Sequence, residues 1–354
     1  MKVGVFQLIP GSPERDHSQL YREAIEQVEY AERLGFDSVW LGEHHFTNYG
    51  ICPSILTFAS YIAARTERIR IGLAVAVLPF YQPLRLAEEA AMVDVLSGGR
   101  LDFGVGRGYQ RVEFDGFGVS LEESRGRFKE TLEILQLAWS DGPFSYDGEF
   151  YKIDSVDVLP KPIQKPGPPI YAAAVSPETA EAMAEKGYPI MVGLTDTESA
   201  IATAHTRYRD KRREVYPGGL DLELPVLRMI YLSQDGKSIR AEAEPGFKNY
   251  LSSLITEGSP GGKTGEFSQS YGFYEKHFPR LEGLTYETAV ERMLLFGEPA
   301  EIRERINGLE RDIGLNSLIC WFSFGLLPHE KVMRSMELMA EHVLPHLKEA
   351  PIAG

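Results

Sequence analysis

Residues 35–46 read Gly-Phe-Asp-Ser-Val-Trp-Leu-Gly-Glu-His-His-Phe and place a buried strand, a carboxylate and two histidines in immediate succession. A segment with helical periodicity ends at Gly35, and a short apolar strand is predicted over 37–41. Burying ionisable groups is costly, so their crowding at a strand exit indicates a functional site. The alternative is that the imidazoles and the carboxylate only satisfy one another beneath a loop.

Predicted strands and helices alternate outward from this stretch along the chain. The predicted strands are short and apolar and cover residues 1–9, 37–41, 69–77, 101–105, 170–174, 189–192, 226–232 and 317–322. Alternation with helices is typical of parallel strands joined by helical crossovers. Eight such units predict an α/β fold of the (β/α)8 or TIM barrel type, with an open doubly wound sheet as the alternative. We expect a single domain over residues 1–354.

Two stretches interrupt the alternation. In residues 144–169, the Asp147-Gly148 turn between aromatic residues predicts a hairpin excursion, which a proline-rich connector follows. Residues 257–285 contain glycines followed by aromatic residues, which suits a lid over a reactive site. A surface loop explains that composition equally well.

Composition excludes several classes of function. The net charge of −14 argues against nucleic acid or an anionic membrane as the main partner. The longest apolar run, residues 71–80, is too short to cross a bilayer. Two cysteines provide neither a disulfide framework nor a thiolate metal cage, which favours a reducing cytoplasm. Two adjacent histidines without a third ligand are also poor evidence for a metal site.

The glycine-rich segment 104–108 superficially resembles a dinucleotide-binding motif. Residues 109–114 do not continue as an apolar-periodic helix, so we reject that interpretation. Instead, we expect a glycine-lined strand exit that allows a ligand close to the backbone, with Arg107 directed at an anion. The alternative for Arg107 is an ion pair with an acidic neighbour.

A second candidate anion site lies where the fifth predicted strand leads into a helix. Ser176 suits the N-cap position and Pro177 the first helical position. Exposed amides and the hydroxyls of Ser176 and Thr179 would receive a phosphate at the positive helix end. Capping alone explains these residues equally well. Arg125, in the first turn of an earlier helix, would add charge, although a solvated arginine is the simpler interpretation.

Strand alternation separates the two histidines. Along an extended segment Trp40, Gly42 and His44 share one side, whereas Glu43 and His45 take the other. Only one imidazole can therefore face a given pocket squarely. We expect His44 in the site and His45 as its structural neighbour.

Three stretches together resemble the bacterial luciferase-like flavin monooxygenases. They are Glu-His-His-Phe-Thr at 43–47, Gly-Leu-Ala-Val-Ala-Val-Leu-Pro at 72–79 and Ser-Gly-Gly-Arg-Leu-Asp-Phe-Gly-Val-Gly-Arg-Gly at 97–108. The resemblance runs from Met1 to residues 343–348 and thins over 257–285. The family's fold is a (β/α)8 barrel, in agreement with the number of predicted units.

The resemblance implies reduced FMN as the cofactor. The positions that match the family's phosphate-binding residues are Arg107, Arg125, Ser176 and Thr179. The positions that match the residues against the isoalloxazine are Ala74, Val75, Tyr109 and Val175, and the Ala74–Val75 bond matches a non-prolyl cis peptide. His44 matches the family's catalytic acid/base.

Two departures from the light-emitting enzymes are evident. Gly106 stands in place of a reactive cysteine, which we expect to open space near the flavin, and Val175 replaces an acidic residue. We therefore do not expect oxidation of long-chain aldehydes with light emission. The expected function is a monooxygenase that uses FMNH2 and O2, through a C4a-(hydro)peroxide, to oxygenate a small organic substrate.

The expected partners follow from the same resemblance. No nicotinamide-binding region is evident in the sequence, so a separate NAD(P)H:flavin reductase would deliver the reduced flavin. A homodimer through helices near the second and third strands is expected by family analogy. Two alternatives remain: a hydride-transfer oxidoreductase of the same superfamily that uses a deazaflavin or FMN, and a non-catalytic flavin-binding subunit.

Overall fold

The computed structural model describes residues 1–174, 176–219, 222–259 and 278–348. The strands are β1 Lys2–Gln7, β2 Ser38–Leu41, β3 Arg70–Leu73, β4 Ala76–Val77, β5 Leu101–Gly106, β6 Phe144–Asp147, β7 Lys152–Val156, β8 Ile170–Ala173, β9 Ile190–Met191, β10 Pro225–Leu232, β11 Leu295–Gly297 and β12 Ser317–Trp321. The helices are α1 His17–Leu34, α2 Ile55–Arg65, α3 Pro83–Leu96, α4 Arg111–Phe117, α5 Ser124–Trp139, α6 Pro177–Lys186, α7 Glu198–Val215, α8 Ile239–Thr256, α9 Tyr286–Arg292, α10 Pro299–Ile313, α11 His329–His342 and α12 Leu344–Lys348.

The main sheet is curled and its strand pairs are parallel. Its order is β11-β10-β12-β1-β2-β3-β5-β8-β9, and β4 adds to β5. Beyond β9, Val192 forms an isolated parallel bridge with Val226 of β10. Helices connect the successive strands of this sheet, except β3 and β4, which two residues join. The predicted α/β class, with parallel strands and helical crossovers, is confirmed.

Local sequence explains how α1 leads into β2. The side chain of Asp16 accepts hydrogen bonds from the backbone amides of Ser18 and Gln19, which caps the helix start. Gly35 ends the helix with φ of 85°, a left-handed conformation that glycine adopts without steric cost. Apolar side chains of α1 are buried on one face, and β2 follows as a buried strand. The chain thus delivers residues 42–46 to the carboxyl edge of the sheet.

The predicted hairpin is confirmed, since β6 and β7 pair in antiparallel fashion. Glu130 of α5 holds its turn by accepting the backbone amides of Glu149, Phe150 and Tyr151 at 2.8, 3.0 and 3.1 Å. The carboxylate thereby fixes the excursion against α5. Of the second interruption, residues 260–277 lie outside the described part, so the predicted lid stays a prediction.

The sequence pattern did not reveal one short helix. The segment after Tyr109 continues as α4, which Gly118 ends with φ of 66°. Seven residues are too few to display a helical period, and burial of Phe114 stabilises the helix through tertiary packing instead. Near the end of the described chain, Val343 separates α11 from α12. No helix in the described part of the chain is long and apolar enough to span a membrane.

Candidate functional site

A cavity of about 840 Å3 lies where the parallel strands end. Segments that follow β2, β3, β5, β8 and β9 all contribute to its lining. The sequence-predicted site residues that line it are His44, Ala74, Val75, Arg107, Tyr109, Arg125, Ser176 and Thr179. Val175, the remaining predicted residue, lies outside the described residues. Residues far apart in sequence are thus brought to one hollow.

His44 is held by a buried glutamate that the sequence did not single out. Its Nδ1 lies 2.9 Å from Oε1 of Glu113, and the same oxygen accepts the backbone amide of His45 at 2.9 Å. Because a carboxylate accepts hydrogen bonds, Nδ1 of a neutral His44 carries the proton and Nε2 is the basic nitrogen. The pair can therefore exchange a proton at Nε2 while Glu113 fixes the ring.

The neighbouring histidine belongs to a different network. Nε2 of His45 lies 3.0 Å from Oε1 of Glu43, whose other oxygen accepts the hydroxyl of Tyr81 at 2.6 Å. Burial raises the pKa of the Glu43 carboxyl above its ordinary value, against the opposing effect of these hydrogen bonds. The ring of His45 packs on Phe80 and Phe117. His45 therefore supports the loop, whereas His44 lines the cavity.

Aromatic side chains surround the exposed edge of His44. The ring of Tyr49 packs edge to face against the imidazole, with 4.7 Å between the ring centroids. The centroid of the Tyr109 ring lies 6.4 Å from that of the imidazole. Burial raises the pKa of both phenols well above the ordinary value, so they stay protonated near neutral pH. The hydroxyl of Tyr49 donates to that of Tyr250 at 3.5 Å. These two rings limit the access of water to His44, whose side chain is 14% exposed, and they offer hydroxyl groups in place of charges.

Hydroxyl groups and positive side chains line another part of the cavity. Ser176 caps α6 by accepting the backbone amide of Thr179 at 3.3 Å, and the two hydroxyl oxygens lie 3.2 Å apart. Arg107 and Arg125 line the same hollow. Within the described residues, Arg125 has no hydrogen bond or ion pair that would neutralise it. Positive side chains and a helix N-terminus together suit a phosphate.

The backbone between these two ends has unusual geometry. The Ala74–Val75 peptide bond is cis, as the resemblance implied. A Cβ atom at Gly106 would lie 2.3 Å from Cγ2 of Val75. The space that we expected beside Gly106 is therefore taken by Val75, so the absent side chain accommodates that residue rather than enlarging the cavity.

The sequence did not predict some of the residues that line the cavity. Glu113, Tyr49, Lys129 and Lys186 also face the cavity. Glu113 lies on α4, and Gly118 was the signal that a short helix ends there. Nothing in the sequence distinguishes Lys129 and Lys186 from ordinary surface lysines.

Comparisons with known proteins agree with this geometry. The family model described as luciferase-like monooxygenase matches residues 1–316. The alkanal monooxygenase alpha chain of Aliivibrio fischeri is 33% identical, with 90% of each chain covered. The oxygenase component of a flavin-dependent trigonelline monooxygenase from Acinetobacter baylyi is 27% identical, over 96% of this chain and 94% of the relative.

A solved structure is similar over nearly the whole length. Monooxygenase RslO1 from Streptomyces bottropensis superposes with a TM-score of 0.85 at 30% identity, covering 98% of this chain and 99% of that one. The family match spans most of the chain, and the predicted resemblance is confirmed. The chain belongs to the luciferase-like monooxygenase family.

Proposed function

We propose that this protein is a flavin-dependent monooxygenase that uses reduced FMN and O2 to oxygenate a small organic substrate. The observation that carries the proposal is the convergence of a proton-carrying pair and an anion-binding end in one cavity. In sheet order, the segments after β3 and β5 lie between the two ends. A phosphorylated flat ring has its charge at one end and its reactive part away from it, which matches this arrangement.

The residues present fit FMN. Arg107, Arg125, Ser176 and Thr179 would hold the phosphate, because they supply positive charge and hydroxyl groups beside the start of α6. Ala74, Val75 and Tyr109 would lie against the isoalloxazine, as would Val175, which is outside the described residues. Bound reduced FMN would supply the electrons that activate O2. The Acinetobacter relative is named a flavin-dependent monooxygenase, which supports a flavin as the cofactor.

The chain's own contribution to the reaction is proton transfer and exclusion of water. Nε2 of His44 is the atom that we expect to give and take the proton, since Nδ1 is bound to Glu113. Tyr49 and Tyr109 lie beside the imidazole ring and would limit its contact with bulk water once the cofactor is bound. A ring fixed in this way holds its proton at a defined position.

Three structural expectations belong to the same proposal. The curled sheet would be a closed (β/α)8 barrel, which is supported by hydrogen bonds of 3.0 Å from Val192 N to Pro225 O and from Leu227 N to Val192 O.

A separate NAD(P)H:flavin reductase would supply FMNH2, as the "oxygenase component" in a relative's name suggests. A homodimer would form through α2 and α3, where Tyr61, Met92 and Leu96 are exposed. Sedimentation of wild type against Leu96→Glu tests the dimer.

The proposed function is tested with FMN, a flavin reductase and O2. We expect wild type to bind FMNH2 and to consume O2, and the His44→Ala variant to bind FMN almost equally but to form oxygenated product at least tenfold more slowly. A protein whose reduced cofactor does not react with O2 would instead be the deazaflavin-type oxidoreductase. Flavin binding without turnover over a screen of aldehydes, ketones and aromatic compounds would indicate the non-catalytic subunit.

A further inference from the structure

The walls of the cavity differ in charge. The cationic side chains among the described lining residues are Arg107, Arg125, Lys129 and Lys186. They come from α5, α6 and the segment directly after β5. The lining residues on or directly after β1, β9 and β10 are uncharged: Phe6, Leu8, Met191, Val192, Gly193, Leu194 and Leu227. We call this second group the apolar wall.

The backbone of Gly193 in the apolar wall is already hydrogen-bonded within the protein. The amide of Gly193 donates to Oδ2 of Asp196 at 3.2 Å, and its carbonyl accepts Nη1 of Arg228 at 2.8 Å. Arg228 neighbours Leu227 on β10, and strand alternation places its side chain on the opposite face, away from the cavity. The guanidinium closest in sequence to this wall therefore does not face a ligand.

The apolar wall adjoins His44. A Cβ atom at Gly50 would lie 3.1 Å from Cδ1 of Leu8 and 3.2 Å from Cβ of His44, so these two side chains are neighbours. The ring of Phe6 is fixed by an edge-to-face contact of 5.6 Å with Trp321. A molecule resting on Phe6 and Leu8 would thus lie beside the imidazole.

We propose that the substrate is a neutral, mainly apolar organic molecule that binds against the apolar wall beside His44, and that carboxylates and other anions are excluded. The proposal rests on the proposed function, because FMN phosphate would occupy the cationic end. A carboxylate on the apolar wall would lose its hydration and gain no cationic partner from the described residues there, and the amide of Gly193 already donates to Asp196. A neutral molecule of the same shape avoids that loss and removes apolar surface from water.

The test compares two probes of equal size. The probes are 4-phenylbutan-2-one and 3-phenylpropanoate. The ketone has a methyl group at the position where the carboxylate has a charged oxygen. Their dissociation constants are measured by calorimetry on protein saturated with reduced FMN under anaerobic conditions. We expect the ketone to bind at least about tenfold more tightly than the carboxylate.

Variants of the apolar wall make the test specific. Leu227→Arg should improve carboxylate binding about tenfold or more and weaken ketone binding, since it supplies the missing cation. Leu227→Met, a neutral change of similar volume, should keep the preference of wild type. Leu194→Arg is a second cationic variant, used if circular dichroism shows that Leu227→Arg does not fold.

Equal or tighter binding of the carboxylate to wild type would overturn the proposal. So would failure of both probes to bind while FMN is bound, because the apolar wall would then not be a binding surface. Failure of the proposed function is visible separately, as absence of FMN binding in these anaerobic samples or absence of O2 consumption in a parallel aerobic assay.

Discussion

Nδ1 of His44 lies 2.9 Å from Oε1 of Glu113, and this contact joins the loop after β2 to the first turn of α4 across 69 residues of sequence. Glu113 is buried, and a second hydrogen bond from the amide of His45 fixes its carboxylate. The glutamate therefore determines which imidazole nitrogen is basic and how the ring is oriented.

Replacing Glu113 with glutamine tests that relationship. The amide keeps the volume but removes the negative charge, so an imidazolium at position 44 loses its stabilisation. We expect product formation to fall about 10- to 100-fold, with FMN affinity nearly unchanged, and the pH–rate profile to shift. Asp115→Asn, an exposed change on the same helix, is the matched control. An unaltered rate and pH profile would contradict the role of Glu113.

The anion-binding end makes a second prediction. Arg125→Ala should weaken FMN binding about 10- to 100-fold, the range for one charge-assisted hydrogen bond, and riboflavin binding much less. Fluorescence titration measures both ligands. Arg85→Ala, which removes an exposed arginine of α3, should leave both affinities unchanged. Parallel losses for FMN and riboflavin would show that Arg125 does not contact the phosphate.

The third prediction concerns the close packing of Gly106 against Val75. A Cβ at position 106 would lie 2.3 Å from Cγ2 of Val75, which is far inside van der Waals contact. Gly106→Ala should therefore destabilise the protein by about 1–3 kcal/mol and impair FMN binding. The double variant Gly106→Ala with Val75→Ala should recover part of both losses. Denaturant unfolding and FMN titration of the four proteins measure this coupling, and strict additivity would speak against it.

His205 makes a prediction about pH. It lies buried on α7, and burial, with Arg209 nearby, lowers its pKa to about 4. The unfolded chain, with an ordinary value near 6.5, binds the proton more readily between these two values, so stability should rise with pH across that window. The contribution is at most about 3 kcal/mol.

Urea unfolding at several pH values between 4.5 and 7.5 measures this effect. The His205→Gln variant lacks the titrating group, and its stability should depend less on pH over that window. Arg209→Lys keeps the neighbouring positive charge and should preserve the slope of wild type. Identical pH profiles for wild type and His205→Gln would show that His205 does not contribute.

Sequence alone determined the fold class and most of the candidate site. The apolar strands and their helical connections predicted parallel pairing, because short buried strands with crossovers leave few other arrangements. The run at 43–46 and the glycines before Arg107 marked strand exits, and those exits meet at one sheet edge. Ser176 and Pro177 identified the start of α6 through local capping chemistry.

The tertiary structure decided what local patterns do not encode. Glu113 contacts His44 because α4 packs near the end of β2. A helix of only seven residues is stabilised by tertiary packing, so its sequence shows no helical period that would predict it. The space beside Gly106 depends on Val75, a residue from another strand exit. The apolar wall is likewise a property of side chains from β1, β9 and β10 together. These contacts join residues that are far apart in sequence. The local pattern of apolar and polar residues does not indicate which distant side chains will lie next to each other.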